Sequence, residues 1–427
     1  MTIASSTASE TSPFAKHFSS SEFTAIPTAS LSFGGLGMSE GLIYLDHAAA
    51  TPVDNRVLSH MIPWMTKFYG NPANRLHRMG EIAEHGLAHA RQTVAEAMGV
   101  NFDEIYFCAS ATEANNLLLR GLAEHPMRKR NKVIIASTEH SSILTTAQDL
   151  YPEKIELCIL PVDTDGQIDM DVAQSEIDER TLCVCVMDVN NETGIIQSQL
   201  DGIISLAHAH GAHVHVDAVQ GFARGQFNAQ SCNFDTATIS GAKIYAGRGA
   251  AALIARKRNP RIRLKPQLTG GGHEAGIRSG TPNLAAIAGF AEAVKIHSAE
   301  HSDRLHYLSH LESIFLSALS GQIDFVHAGK TTQRVPGIIM LHIAGVNAMK
   351  LIENMRRVCV SSGSACRTLQ ATSSHVLKAM GQEDDVALSS FRVSLGLTNT
   401  ASEMLSAARI IAETAFTLRR TSANLLS

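Results

Sequence analysis

The chain has 427 residues, a formal net charge of -4 at pH 7 and 18% charged residues, the composition of a soluble chain able to bury a large core, most simply one large domain plus a smaller one. No long basic run and no apolar stretch near the roughly 20 residues of a membrane span occurs, so direct nucleic-acid binding and membrane insertion are set aside. The seven cysteines (Cys108, Cys158, Cys183, Cys185, Cys232, Cys359 and Cys366) are odd in number and lie mostly in apolar runs, which is no disulfide framework and favours a reducing, cytoplasmic compartment.

Residues 1–41 are rich in Ser and Thr and have no apolar core of signal-peptide length, so they read as a flexible extension. No arginine occurs before Arg56, which argues against an organelle transit peptide. From there short β-branched runs alternate with amphipathic stretches, the pattern of a mostly parallel sheet covered by helices. Strands are expected at EIYFCAS, KVIIAS, IELCILPV, TLCVCVMDV, HVHVD, FDTATIS and AAALIAR, with helices such as TEANNLLLRGLAEH and QLDGIISLAHAHG between them. After Thr281 long helices take over, then a strand-helix-strand-helix tail. The expected division is a large domain over 52–298 and a small domain made of 42–51 and 299–427.

In such sheets ligands bind beyond the carboxyl ends of the strands. After EIYFCAS, residues Ala111, Thr112 and Glu113 open a helix whose free N–H groups suit an anion such as phosphate, although an ordinary helix cap looks the same. After TLCVCVMDV comes NNETG, where Asn191 can donate into the cleft or simply make a turn. In HVHVD, residues His213, His215 and Asp217 share one face. Two readings compete there: a metal site, or a carboxylate at Asp217 paired with a cationic ring nitrogen of a cofactor. The next strand ends in Ser240, Gly241, Ala242 and Lys243, and a lysine held in a cleft forms a Schiff base with an aldehyde. An anion-binding helix start, a strand-end aspartate and that lysine together describe a pyridoxal phosphate site, which favours the second reading. Further on, VSSGSACRTLQ sets Cys366 among small polar residues, where a structural thiol would want apolar neighbours. Cys359, Cys183 and Cys185 fit that structural role better.

The segments IYLDHAAATPVD, GNPANRLHRMG, ATEANN, TEHSSI, VNNETG, HVDAVQ, SGAKIY, GGGHEAGIRSGTPN, SSGSAC and SSFRVSLG occur in an order that resembles the cysteine desulfurases, pyridoxal phosphate enzymes of the class V aminotransferase type. The resemblance runs from about Leu42 to the last helix. It implies an α/β chain of the fold type I transferase architecture, with a mixed, mostly parallel seven-stranded sheet between helices and a smaller α+β domain. The SSGSAC form resembles the group with a long mobile cysteine loop.

Carried over by position, the resemblance implies that Lys243 holds pyridoxal 5'-phosphate covalently, Asp217 pairs with its ring nitrogen and His140 stacks on the ring as part of the catalytic set. Asn191 and Gln220 would bond its phenolic oxygen, and Ala111, Thr112 and Ser240 its phosphate. Thr281 would reach the phosphate in a partner subunit, implying a homodimer. Arg392, assisted by Asn71, would bind the substrate carboxylate. Cys366 would take sulfur from L-cysteine as a persulfide, leave alanine, and pass the sulfur to an acceptor protein, such as a scaffold for iron-sulfur cluster assembly or a thiolation protein. The family's usual Ser-Gly-His-Lys is here Ser-Gly-Ala-Lys, with Ala242 at the histidine. Two other classes remain beside a desulfurase: an enzyme acting on selenocysteine or another sulfur amino acid, and a weakly active scaffold.

Overall fold

The computed structural model describes residues 12–17, 41–258, 262–329, 332–362 and 373–426. In chain order the strands are β1 (Ile43–Tyr44), β2 (Ile105–Cys108), β3 (Lys132–Ala136), β4 (Glu156–Leu160), β5 (Thr181–Met187), β6 (His213–Asp217), β7 (Thr236–Ser240), β8 (Ala251–Ala255), β9 (Val326–His327), β10 (Ile338–His342), β11 (Val358–Cys359) and β12 (Ser390–Ser394). The helices are α1 (Asn55–Thr66), α2 (Arg78–Met98), α3 (Ala111–Ala123), α4 (Ser141–Leu150), α5 (Met170–Glu176), α6 (Leu200–Ala209), α7 (Val219–Ala223), α8 (Leu284–Ser320), α9 (Ala348–Asn354), α10 (His375–Ala379), α11 (Asp384–Leu388) and α12 (Ala401–Leu426).

Strands β2 to β8 form one seven-stranded sheet in the order β2-β8-β7-β6-β5-β3-β4. Its pairs are parallel except that β8 runs antiparallel to both β2 and β7, so the sheet is mixed as expected. Every residue of β5 is buried, which is what a strand covered by helices on both faces requires. The same edge of the sheet collects the carboxyl ends Cys108, Ser240, Asp217 and Met187. Cys108 and Ser240 both pair with Ala251, and Met187 pairs with Asp217.

A second core is built from Ile43, Leu45, the later part of α8, β10, β12 and α12. It holds the antiparallel sheet β12-β10-β9 and the parallel pair β1-β11. The two cores are joined by α8, a single helix of 37 residues and roughly 55 Å, where the sequence suggested several. Its early residues, Phe290 and Val294 among them, pack in the first core, and Leu308, Leu311 and Phe315 in the second. The expected division after residue 298 therefore falls inside a continuous helix. Gly289 lets α8 lie against α1, since a Cβ there would come within 2.5 Å of Met61.

Of the stretch read as a flexible extension, residues 12–17 are described and packed: Ser12 Oγ donates to Leu397 O at 2.5 Å and the Phe14 ring meets Tyr307 edge-on. Residues 1–11 and 18–40 lie outside the described residues. Among the described residues no helix is long and apolar enough to cross a membrane.

Candidate active site

A cavity of about 470 Å³ opens beyond the strand ends. Of the residues singled out in the sequence, Ala111, Thr112, His140, Asn191, Asp217, Gln220, Ser240, Lys243 and Arg392 line it, and so does Ala242. Topology explains this convergence, because strand-end residues far apart in sequence meet at one sheet edge.

Asp217, at the end of β6, is only 4% exposed. Its Oδ2 accepts from Asn115 Nδ2 at 3.0 Å and its Oδ1 from Val219 N at 3.2 Å. Asn115, fully buried on α3, also donates to Ser142 Oγ at 2.9 Å, and its Oδ1 lies 3.1 Å from His215 Nε2. Burial pushes His215 down to about 3, so its ring is neutral. The neighbouring groups assign its tautomer, with Nε2–H donating to Asn115 and Nδ1 accepting from Thr236 Oγ1 at 3.0 Å. The HVHVD face is thus divided: His215 supports Asn115, Asn115 supports Asp217, and half-buried His213 stands apart from the cavity. Among the described residues no three His, Cys, Asp or Glu side chains are grouped as a metal site would need.

His140 caps α4, with Nδ1 accepting from Ser142 N at 3.1 Å and lying 2.8 Å from Ser142 Oγ. Burial lowers its pKa, only partly opposed by the charge of Asp217. The neighbouring helix α3 begins at the same cavity, with Ser110 Oγ capping Glu113 N at 3.1 Å. Ala111 and Thr112 are its first two residues, where backbone N–H groups have no acceptor within the helix. Lys243 follows β7 and donates through Nζ to Ala49 O. Gln220 Nε2 donates to Ala48 O at 3.0 Å, while its buried Oε1 has no partner among the described residues.

Arg392, in the middle of β12, is 2% exposed. Its Nη2 pairs with Asp46 at 2.7 Å, its Nη1 donates to Asn191 O at 2.8 Å, and its Nε has no partner among the described residues. Donor capacity therefore remains for a carboxylate. Asn71 lies on the exposed loop between α1 and α2, its Oδ1 accepting from Ala73 N at 3.0 Å, and Thr281 is exposed before α8. Neither lines this chain's cavity. Cys366 lies outside the described residues, but the backbone on both sides of residues 363–372 is held at the cavity. Ser361 exchanges backbone hydrogen bonds with Arg392, and Ser374 Oγ donates to Glu192. Cys183 and Cys185, 3.9 Å apart, are fully buried, and their mutual contact and burial push the Cys185 thiol well up, away from reactivity.

Sequence reasoning passed over Asn115, Glu139, Asp188, Glu192, Arg248 and His375. Glu192, Arg248 and His375 line the cavity. Glu139 and Asp188 lie beneath it as buried acids, each raised chiefly by burial and further by the charge of Asp217, Asp188 to about 8. The Asn in the apolar run ANNLLL and the Glu beside His140 were the only local signals. The free N–H groups of the helix start, the anchored Asp217 carboxylate and the Lys243 amine, all at one cavity, make a set of polar groups that fits a phosphorylated pyridine aldehyde.

The chain belongs to the class-V aminotransferases, whose family model matches residues 43–406, and its mixed seven-stranded sheet with a lysine and an aspartate at adjacent strand ends fits that family. Within it the chain belongs with the cysteine desulfurases. It is 38% identical over 370 residues to "Cysteine desulfurase IscS" of Rickettsia bellii (strain OSU 85-389), an alignment spanning 86% of this chain and 90% of that protein. Among solved structures it is similar to a NifS-like protein with a TM-score of 0.80 and 30% identity, over 87% of this chain and 98% of the other. It is also similar to SspA in complex with cysteine, with a TM-score of 0.72 and 28% identity, over 84% and 99%.

Proposed function

We propose that this chain is a pyridoxal 5'-phosphate-dependent cysteine desulfurase that takes sulfur from L-cysteine, releases L-alanine and keeps the sulfur as a persulfide on Cys366 for an acceptor protein. The observation that carries this reading is the meeting, in one cavity, of Lys243, Asp217, the start of α3 and Arg392. A relative solved in complex with cysteine supports the choice of substrate.

When bound, the cofactor supplies an electron sink for bonds at the substrate α-carbon. Lys243 would hold its aldehyde, and the lysine Nζ would take the substrate α-proton. Asp217, kept in one orientation by Asn115 and Val219, would pair with the ring nitrogen. Neutral His140 would cover the ring face, Gln220 and Asn191 would attend the phenolic oxygen, and Ala111, Thr112 and Ser240 would receive the phosphate. Arg392 takes the substrate carboxylate, and its bonds to Asp46 and Asn191 O keep the guanidinium plane fixed. The Cys366 thiolate attacks the substrate sulfur; the Sγ–S bond forms as the substrate C–S bond breaks, and the carbon skeleton leaves as alanine after regaining protons. Cysteine plus one thiol accounts for every atom of alanine plus one persulfide, so no external oxidant is needed. The exposed position of Thr281, outside this chain's cavity, supports a site completed by a second copy.

The test is a single turnover with L-cysteine and no reductant, with alanine quantified and peptides weighed. One alanine per chain and one added sulfur on the Cys366 peptide are expected. Undiminished alanine release by Cys366→Ser with a reductant present would overturn the assignment of the nucleophile.

A further inference from the structure

The anion end of the cavity is built where β2 ends and β8 begins. Cys108 stands opposite Ala251 in that antiparallel pair, so Ala109 and Ser110 leave β2 beside Ala250 and Gly249 entering β8, and all four line the cavity. Gly241 N donates to Ala250 O at 3.1 Å, which ties this loop to the turn carrying Ala242 and Lys243. Arg248 is the next residue outward and also lines the cavity. It is bracketed by Gly247 (φ +77°) and Gly249 (φ +102°), backbone conformations that other residues rarely adopt, so the path of the loop that sets Arg248 on the cavity wall depends on both glycines.

Charge on this wall is otherwise committed. Arg392 pairs with Asp46, nearby Arg278 pairs with Glu113, and Lys243 is assigned to the aldehyde. Burial lowers the pKa of His140, and the Ala242 side chain has no donor to offer. Arg248 is exposed and in no ion pair among the described residues. The backbone of α3 with the hydroxyls of Thr112 and Ser240 supplies only neutral donors, whereas a phosphate is close to a dianion. A guanidinium beside them adds a two-pronged, charge-assisted contact.

We propose that Arg248 binds the cofactor phosphate, supplying the charge that position 242 lacks, and so sets the preference of the site for the phosphorylated cofactor over unphosphorylated pyridoxal. This rests on the cofactor reading above. Apo-protein, wild type and Arg248→Gln, is titrated with pyridoxal 5'-phosphate and separately with pyridoxal, following the absorbance of the lysine adduct. The substitution is expected to weaken the phosphorylated ligand by about tenfold to a hundredfold and to leave pyridoxal unchanged. Ala242→His placed in the Arg248→Gln background should recover most of the loss, since a donor returns to the same end of the cavity. Equal affinities in wild type and Arg248→Gln overturn the role of Arg248 alone. A parallel loss for both ligands also overturns it, because the residue then acts on the loop rather than on phosphate. Failure of the wild type to take up pyridoxal 5'-phosphate overturns the cofactor reading itself.

Discussion

Asn115 Nδ2 donates to Asp217 Oδ2 across 3.0 Å, from the second turn of α3 to the end of β6. The same side chain reaches Ser142, and through it His140, so one buried amide orients both the strand-end carboxylate and the imidazole above the cavity. Both of its N–H groups and its carbonyl are used, which a buried amide requires to avoid a desolvation cost.

Asn115→Leu keeps the volume and removes the amide, leaving Asp217 Oδ2 and His215 Nε2 without that partner. An unsatisfied buried polar group costs about 1–3 kcal/mol. The variant should unfold at a lower urea concentration than wild type, as apo-protein, and bind pyridoxal 5'-phosphate more weakly. An unchanged midpoint would mean that this network does not hold the site together.

Lys243→Ala should leave the fold intact and abolish covalent retention of the cofactor, with turnover down by about a hundredfold or more, the range of a lost general base. Borohydride reduction of the wild type followed by peptide mass analysis should place the cofactor on Lys243. Label on another lysine would displace the assignment.

Arg392→Lys preserves the charge opposite Asp46 but loses the planar fork. KM for L-cysteine is expected to rise by about tenfold or more, while affinity for pyridoxal 5'-phosphate stays at the wild-type value. A normal KM would remove Arg392 from substrate binding.

Asp188 gives a pH signature. An unfolded aspartate titrates near about 3.9, whereas burial first and Asp217 second raise Asp188 to about 8 in the fold. Between those values the folded chain holds the extra proton, so this group favours folding fully at low pH and the contribution is lost as pH rises through about 8. Apo Asp188→Asn should therefore lose less stability than wild type between about pH 5 and pH 8, measured as urea midpoints. Parallel slopes for the two proteins would refute the assignment.

The strands of the large sheet were readable one by one, because short runs such as TLCVCVMDV are apolar at nearly every position and only a doubly covered strand tolerates that. The candidate site residues next to them were readable for the same local reason: Asp217 ends a strand, Thr112 and Lys243 follow one within a few residues, and the ordered family segments implied roles for Gln220 and Arg392. What those segments could not convey was long-range contact. The support of Asp217 by Asn115 spans 102 residues, and the pairing of Arg392 with Asp46 spans 346. Neither partner carries a local pattern that announces it. The sequence by itself therefore determined which side chains exist for the chemistry and the sheet edge at which they collect. Tertiary structure alone decided strand order, the continuity of α8 through two cores, the buried acids Glu139 and Asp188, the place of Arg248, and the absence of Asn71 and Thr281 from this chain's own cavity. A hydrogen bond needs its donor and acceptor within about 3 Å of each other, and only folding brings residues so distant along the chain that close.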